Sequence, residues 1–165
     1  MCSLLQQKKT SKTPTFWAYC SKAPCRIDFS GGWTDILPLT KIGIVGAVVN
    51  AAINLYTYVT IREKEHEGVT IHSFDFQKNS VQYEIQNTKR MRYDGNFDLV
   101  KAALRIFQIP CGLSIEIRNF APIGSGLGTS ASMGVSLVGA LSRCIGKRIS
   151  KEEIGRKIEA KQAKL

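Results

Sequence analysis

Residues 122–132 read PIGSGLGTSAS, and this short stretch governs how the rest of the chain is interpreted. Gly124, Gly126 and Gly128 occupy every second position and lead directly into the hydroxyl side chains of Thr129 and Ser130. Glycine permits positive φ and lets a ligand approach the backbone closely. Three interpretations are open: a flexible linker, a tight turn with a serine helix cap, or a cradle for phosphate.

The segments on either side of the glycines argue against a linker. LSIEIRNF (113–120) alternates apolar and polar residues, which predicts a half-buried strand. SMGVSLVGALSRCIG (132–146) predicts a helix, because apolar residues recur at helical spacing: Met133, Leu137, Val138, Leu141 and Ile145. A helix N-terminus offers unpaired amides and a dipole that favours anions. A strand, a glycine turn and a helix in this order therefore suit a phosphate.

The glycine stretch matches neither of two common phosphate-loop patterns. No lysine follows it as in G-x-x-x-x-G-K-[ST], and the third glycine comes too early for G-x-G-x-x-G. The hydroxyls of Thr129, Ser130 and Ser132 are suitable partners for phosphate oxygens or for Mg²⁺. Taken alone, the stretch leaves the capped turn and the phosphate cradle both open.

Strands are predicted where β-branched and aromatic residues cluster or alternate. These segments are TYVTI (57–61), VTIHSF (69–74) and VQYEI (81–85). The charged stretch REKEHEG (62–68) ends in glycine, as in a hairpin loop between the first two strands.

Two more helices are predicted, which makes the fold class α+β. NFDLVKAALRIF (96–107) has Asn96 as its cap, Pro110 and Gly112 as its end, and an apolar face made of Phe97, Val100, Leu104 and Phe107. Ser150 and Glu153 form an S-x-x-E capping box, which starts a last helix whose inward residues are Ile154 and Ile158.

Composition sets broad limits on the kind of protein. Apolar residues make up 44% of the 165 residues, which is enough for one folded domain, predicted over residues 22–165 after a flexible basic tail at residues 1–21. The sequence contains no run of about 18 apolar residues, so no membrane helix is predicted. Five cysteines without a C-x-x-C pair favour reduced thiols in the cytoplasm over a disulfide framework or a zinc site.

The net charge of +10 indicates an attraction to anions without naming one. Nucleic acid, anionic membranes and phosphorylated small molecules all fit it. The excess lies partly in the tail, at Lys8, Lys9 and Lys12, and partly in the last twenty residues, so a solvated surface is the better interpretation. The basic residues are also not interleaved with aromatic ones along one stretch, as single-strand binding would favour.

A second stretch, APCRIDFSGGWTD (23–35), also carries charges among apolar residues. Arg26, Asp28 and Asp35 each need a partner in such surroundings. Arg26 and Asp28 form either a structural ion pair or part of a site.

Together, APCRIDFSGGWTD and PIGSGLGTSAS resemble the first two motifs of the GHMP kinases, a family that includes galactokinase, homoserine kinase and mevalonate kinase. Gly-Gly-Trp-Thr-Asp and the segment VVNAAINLYTYVTI (48–61) are similar to its fucokinase and heptose-7-phosphate kinase branch. The resemblance covers roughly residues 22 to 165. It implies the family's N-terminal domain, a two-layer β/α fold similar to a ribosomal-protein domain, without the C-terminal domain.

The resemblance also implies a role for particular residues in phosphoryl transfer from ATP to a sugar or sugar-phosphate hydroxyl. Ser130 and Glu159 match the Mg²⁺-binding positions, and Arg26 matches an arginine beside the reacting centre. Asp35 matches the aspartate that contacts sugar hydroxyls, with Gly32 and Thr34 beside it. The residues that would wrap the ATP phosphates are Pro122, Gly124, Ser125, Gly126, Leu127, Gly128, Thr129 and Ser130.

Two departures from the family pattern bear on activity. Cys25 stands where the family has glycine, which predicts a strained or reshaped site and a thiol near the substrate. The family branch also has a Gly-Gly-x-Gln-Asp-Gln segment with the proposed catalytic base about a dozen residues after the metal glutamate. This sequence extends six residues past Glu159 and does not contain that segment.

Three functional hypotheses follow. The first is the ATP-binding N-terminal portion of a sugar kinase. The second is a catalytically silent relative that binds nucleotide, and the third, less favoured, is a basic RNA-binding module.

Overall fold

The structure, a computed structural model, describes residues 18–32, 34, 46–74, 80–88, 91–109, 112–122, 124–147, 149–150 and 153. Within these ranges the elements are β1 (Ala18–Ser30), β2 (Val49–Lys64), β3 (Val69–Phe74), β4 (Ser80–Ile85), α1 (Asp98–Phe107), β5 (Gly112–Asn119) and α2 (Thr129–Cys144). The predicted α+β class is confirmed. The predicted tail boundary at residue 21 falls inside β1, so Ala18 to Ser21 belong to the sheet rather than to a tail.

The five strands form one sheet in the order β1-β2-β5-β3-β4. β3 and β5 run parallel, and the other neighbouring pairs are antiparallel. The predicted hairpin between β2 and β3 is wrong, because β5 lies between them. β5 is the central strand of the sheet, and its residues Leu113, Ile115 and Ile117 are all buried.

The link between β2 and β3 packs against the start of β5. The amide of Leu113 donates a 2.9 Å hydrogen bond to the carbonyl oxygen of Gly68. A Cβ at Gly112 would overlap the carbonyl oxygen of His66, so glycine is required there. The predicted helix-ending role of Gly112 is therefore wrong: it is the first residue of β5.

One layer of helices covers one face of the sheet. A single core cluster joins alternate strand residues such as Val59, Ile61 and Ile71 to both helices. The apolar faces predicted for the helices are confirmed, since their residues belong to this cluster or pack against it: Phe97, Val100, Leu104, Phe107, Met133, Leu137, Val138, Leu141 and Ile145. This is the predicted two-layer arrangement.

The ends of α1 differ from the prediction. Its N-cap is Phe97, in a left-handed conformation with φ 52°, and not Asn96. The carboxylate of Asp98 instead accepts hydrogen bonds from the amides of Asp94 and Gly95, which organises the preceding loop. At the other end Gln108 is also left-handed and its amide bonds to Leu104, so the helix ends before Pro110.

The predicted capping box at Ser150 is confirmed in part. The Ser150 hydroxyl accepts a hydrogen bond from the amide of Glu153 at 3.2 Å. Ile154 and Ile158 lie outside the described residues.

Two contacts hold α2 closely over the first two strands. A Cβ at Gly139 would lie 2.8 Å from the hydroxyl oxygen of Ser21 on β1, so helix and strand meet where the helix has no side chain. The buried Ser136 hydroxyl donates a 2.9 Å hydrogen bond to the carbonyl oxygen of Thr57 on β2. In the part of the chain that the structure describes, no helix is long and apolar enough to cross a membrane.

Candidate functional site

The glycine loop joins β5 to α2 with three residues in the left-handed region. Gly124, Gly126 and Gly128 have φ values of 75°, 71° and 68°. A Cβ at Gly124 or Gly126 would meet nothing within 4 Å, so it is the backbone conformation that favours glycine at these two positions. The Ser125 hydroxyl donates a 2.7 Å hydrogen bond to the carbonyl oxygen of Pro122, which closes the turn.

The start of α2 lacks a side-chain cap. Gly128 is the N-cap residue, and the first helical turn contains no acidic residue. The alternative of a turn capped by a serine is therefore wrong. Thr129 is half-buried and Ser130 is exposed at this end of the helix.

These features fit an anion such as a polyphosphate. The amides of an uncapped first turn need acceptors, and the helix dipole adds positive potential. Because the glycines carry no side chains, phosphate oxygens can approach the backbone of the loop.

The first sequence motif reaches this loop through an irregularity in β1. The pairing of β1 with β2 shifts register between Pro24 and Arg26. At that point the amide of Arg26 donates a 3.0 Å hydrogen bond to the carbonyl oxygen of Leu127 in the glycine loop. The hydroxyl of Ser132 donates a 2.7 Å hydrogen bond to the carbonyl oxygen of Pro24.

The side chain of Arg26 lies against the beginning of α2. A Cβ at Gly128 would be 3.6 Å from Cγ and 3.8 Å from Cζ of Arg26, so the guanidinium stands beside the helix N-terminus. Its Nε donates a 3.0 Å hydrogen bond to Oδ1 of Asp28. About half of the Arg26 side chain is exposed, so the group is paired yet accessible to a ligand.

The turn after β1 continues from this ion pair. Gly32 adjoins Asp28, since a Cβ there would lie 3.8 Å from Oδ2 of that aspartate. Both the amide and the hydroxyl of Thr34 donate to the carbonyl oxygen of Gly31, at 3.1 and 2.7 Å. A Cβ at Gly31 would overlap the carbonyl oxygen of Ala47, which makes glycine obligatory in this turn.

Cys25 fits the site without the strain that the sequence predicted. Its φ is not among the positive values of the described residues, so it does not need the freedom of glycine. The side chain is fully buried with a free thiol, so it contributes to the core rather than to an open pocket.

The structure brings together only some of the predicted site residues. The Arg26 amide bonds to Leu127, and the Arg26 side chain lies beside Gly128. Gly32 adjoins Asp28, which pairs with the Arg26 guanidinium. Asp35 and Glu159 lie outside the described residues. Within the described ranges, no group of three or more His, Cys, Asp or Glu residues is placed to hold a metal ion.

Reasoning from sequence missed two connections in this site. Ser132 was considered as a phosphate or metal partner, whereas its hydroxyl bonds to Pro24. The hydrogen bond from the Arg26 amide to the Leu127 carbonyl was also not predicted. It depends on a register shift within β1, and such a shift leaves no clear signal in the sequence.

A protein-family model matches the part of the chain that contains the glycine loop. Residues 98–164 match the family model of the GHMP kinases N terminal domain. The matched range contains the glycine loop and α2.

Curated relatives include kinases of several substrates. The mevalonate kinase of Pyrococcus horikoshii is 30% identical over 67% of this chain and 37% of its own length. D-glycero-alpha-D-manno-heptose 7-phosphate kinase of Campylobacter jejuni is 28% identical over 82% of this chain and 40% of its own. The bifunctional fucokinase/GDP-fucose pyrophosphorylase of Arabidopsis thaliana is 31% identical over 81% of this chain and 14% of its own.

A solved structure shares the fold of this chain, at a sequence identity close to that of the relatives above. It is a D-glycero-D-manno-heptose 1-phosphate kinase from Bacteriodes thetaiotaomicron, with a TM-score of 0.74 and 32% identity over 90% of this chain and 50% of that one. The chain thus spans half or less of each of these four proteins. The motifs, the family match and the shared fold show that the chain belongs to the GHMP kinase family and carries its N-terminal domain.

Proposed function

We propose that this chain supplies the Mg·ATP-binding portion of a kinase that phosphorylates a hydroxyl of a sugar or sugar phosphate. The observation that carries the proposal is the contact between Arg26 and the glycine loop. It places a fixed guanidinium beside an uncapped helix N-terminus that follows three left-handed glycines. Such a combination suits a polyphosphate, whose charge is both bound and neutralised.

The proposed roles of the loop residues follow from their chemistry. The backbone amides around Gly126 and Gly128 and at the start of α2 bind phosphate oxygens. The Thr129 and Ser130 hydroxyls are hydrogen-bonding partners at the same end. The full proposed loop set is Pro122, Gly124, Ser125, Gly126, Leu127, Gly128, Thr129 and Ser130.

Arg26 has the proposed catalytic role. When bound, ATP supplies the phosphoryl group that is transferred. A guanidinium held by Asp28 stabilises negative charge without having to reorganise, which is how a positioned cation accelerates phosphoryl transfer. Asp35, Gly32 and Thr34 form the proposed contact region for the hydroxyl-bearing substrate.

The proposed Mg²⁺ ligands are Ser130 and Glu159. The Ser130 hydroxyl is exposed at the N-terminus of α2, where it is accessible to a bound ion. A hydroxyl and a carboxylate are both oxygen ligands of the kind that Mg²⁺ prefers.

Two observations support a substrate of the fucose or heptose-phosphate class. Gly-Gly-Trp-Thr-Asp at residues 31–35 is similar to the fucokinase and heptose-kinase branch, and relatives bearing those names align over about four fifths of the chain. We further propose that the domain that begins with β1 is the unit that binds nucleotide, and that the protein is cytoplasmic.

Titration with Mg·ATP tests the nucleotide part of the proposal. Arg26→Ala is compared with Arg62→Ala, because both arginines are about half exposed and each is paired with one carboxylate. We expect Arg26→Ala to weaken Mg·ATP binding about tenfold, as loss of a charge-assisted hydrogen bond does, and Arg62→Ala to leave it unchanged.

The RNA-binding alternative gives a different result in the same experiment. Equal affinities for both variants would contradict the role of Arg26. Tight binding of RNA with steep salt dependence, unaffected by Arg26→Ala, would favour the RNA-binding module. Binding of Mg·ATP without phosphorylation of a sugar is expected of the kinase portion and of the catalytically silent relative alike; a Gly-Gly-x-Gln-Asp-Gln continuation of the transcript past residue 165 would favour the kinase.

A further inference from the structure

Ser132 lies in the first turns of α2 and makes an unusual connection. It is almost completely buried, with 6% of its surface exposed. Its hydroxyl lies 2.7 Å from the carbonyl oxygen of Pro24 and 3.2 Å from that of Gly128. A hydroxyl has a single proton to donate, so the shorter contact to Pro24 is the main hydrogen bond.

The acceptor of this bond sits where β1 departs from regular pairing. The register of β1 against β2 shifts between Pro24 and Arg26. Both backbone groups that flank Cys25 turn to the loop and its helix instead: the Pro24 carbonyl accepts from Ser132, and the Arg26 amide donates to Leu127. Cys25 is fully buried between them. We call this pair of hydrogen bonds the bracket.

We infer that Ser132 is a positioning residue that holds β1 against the glycine loop, so that Arg26 stands beside Gly128. The inference rests on the proposed function, since the purpose of the bracket is to organise a nucleotide-phosphate site. Ser132 does not touch the phosphates; it acts through Pro24 and Arg26.

Geometry explains why one hydroxyl has this effect. The Arg26 backbone and side chain both meet the loop: the amide bonds to Leu127, and Cγ and Cζ lie within 4 Å of a Cβ position at Gly128. Without the Ser132 bond, the Pro24 carbonyl loses the donor that ties it to α2, and β1 can shift away from the helix. Such a shift moves the guanidinium away from the helix N-terminus.

Ser136 provides a matched control on the same helix. It is buried, one turn further along α2, and its hydroxyl also donates to a strand carbonyl, that of Thr57 at 2.9 Å. Ser136→Ala therefore removes the same kind of bond without touching the bracket.

The first measurement is amide hydrogen exchange by NMR in the full chain without nucleotide. In Ser132→Ala we expect exchange of the Arg26 amide to accelerate at least about tenfold relative to the amide of Ile115 in the central strand, which reports global opening. In Ser136→Ala we expect the Arg26 to Ile115 ratio to stay at its original value. Equal ratios in the two variants would overturn the inference.

The second measurement is the affinity for Mg·ATP. We expect Ser132→Ala to weaken binding about tenfold and Ser136→Ala to leave it within about twofold. If both variants bind as the original chain does, the inference is overturned while the proposed function stands. If the original chain binds no Mg·ATP, the proposed function fails, and the exchange ratio still decides whether Ser132 holds Arg26.

A second substitution guards against loss of folding in Ser132→Ala. Ser132→Cys keeps the shape of the side chain with a somewhat larger terminal atom, and it replaces a strong donor with a weak one. We expect the exchange ratio at Arg26 to rise in this variant too. An unchanged ratio in a folded Ser132→Cys protein would overturn the inference.

Discussion

The amide nitrogen of Arg26 lies 3.0 Å from the carbonyl oxygen of Leu127, and this hydrogen bond joins the first sequence motif to the glycine loop. The bond forms where β1 stops pairing regularly with β2. Its consequence is electrostatic as well as geometric, because the same residue places its guanidinium beside the N-terminus of α2. Two stretches that are far apart in sequence thereby meet at one surface, the proposed site for an anion.

Gly128→Ala is expected to damage ligand binding more than stability. Gly128 and Gly146 have nearly the same φ, 68° and 70°, and stand at opposite ends of α2. Alanine at either position costs about 1 kcal/mol for the left-handed conformation. Only at Gly128 does the new methyl group enter the space between the Arg26 side chain and the loop.

The measurement for this pair combines thermal unfolding with Mg·ATP titration. We expect similar losses of stability in Gly128→Ala and Gly146→Ala, and a loss of affinity of about tenfold in the first alone. A Gly146→Ala protein that loses affinity equally would show that binding follows general stability rather than the loop.

A buried lysine predicts how stability changes with pH. Lys101 of α1 is almost fully buried, and its Nζ lies 2.6 Å from Asp94 and 4.8 Å from the centre of the Tyr83 ring. Hydrogen bonds from Lys101, the Asn96 amide and Tyr83 lower the pKa of Asp94 well below its usual range. Burial acts to lower the pKa of Lys101, but its bonds to Asp94 and Tyr83 outweigh this and raise the pKa.

The two shifts act at opposite ends of the pH scale. Because the folded pKa of Asp94 is depressed, its contribution is present above its unfolded pKa of about 3.9 and is lost as the pH falls further. Because the folded pKa of Lys101 is raised, its contribution is present below its unfolded pKa of about 10.4 and is lost at higher pH. Melting temperatures from pH 2 to 11 in the original chain and Lys101→Met test this. A Lys101→Met protein with the same acid and alkaline dependence would contradict it.

Cys25 is expected to resist thiol reagents in the folded protein. It is fully buried, whereas Cys20 on the same strand is exposed. Mass-mapped alkylation should modify Cys20 readily and Cys25 only after denaturation, since modification requires contact with solvent. Modification of Cys25 at the rate of Cys20 would show that the thiol faces an open site.

The family-like substitution Cys25→Gly gives a second test of the same residue. We expect it to destabilise the chain by about 1–2 kcal/mol, through lost packing and the added freedom of glycine in a strand. Chemical denaturation measures this change. A more stable Cys25→Gly protein would indicate that cysteine strains the position after all.

The close approach of α2 to β1 predicts a coupled pair of substitutions. A Cβ at Gly139 would lie 2.8 Å from the hydroxyl oxygen of Ser21, which is too short for an ordinary contact. Gly139→Ala should therefore destabilise the chain by about 1 kcal/mol despite the better helix propensity of alanine. Ser21→Ala combined with Gly139→Ala should restore most of that loss, because the obstructing oxygen is gone. Additive effects of the two changes would contradict this packing.

Local patterns in the sequence predicted the elements well because burial sets them residue by residue. The alternation of Leu113, Ile115 and Ile117 gave β5, and the spacing of Val100 and Leu104 gave the buried face of α1. The pairing of strands depends on the whole sheet rather than on local patterns. The hairpin prediction was wrong because β2 and β3 are consecutive in sequence but are separated by β5 in the sheet.

For the candidate site, the sequence motifs predicted residues, whose roles stay predictions, but did not predict the contacts among them. The glycine loop and Arg26 were identified from their motifs. The Asn96 cap was wrong because the chain enters the helix through Phe97 in a left-handed conformation, and the amide of Asn96 donates to the carboxylate of Asp94. The link from Ser132 to Pro24 depends on how a helix docks on a distorted strand, which no local spacing encodes.

The central claim is that the glycine loop and Arg26 bind the phosphates of a nucleotide. Calorimetric titration of the chain with Mg·ATP and, separately, with adenosine tests it most directly, because adenosine lacks the groups that this surface recognises. We predict saturable binding of Mg·ATP that weakens about tenfold in Arg26→Ala, and adenosine binding that is much weaker and insensitive to that substitution. Equal affinity for adenosine and Mg·ATP, or Mg·ATP binding that Arg26→Ala leaves unchanged, would contradict the claim.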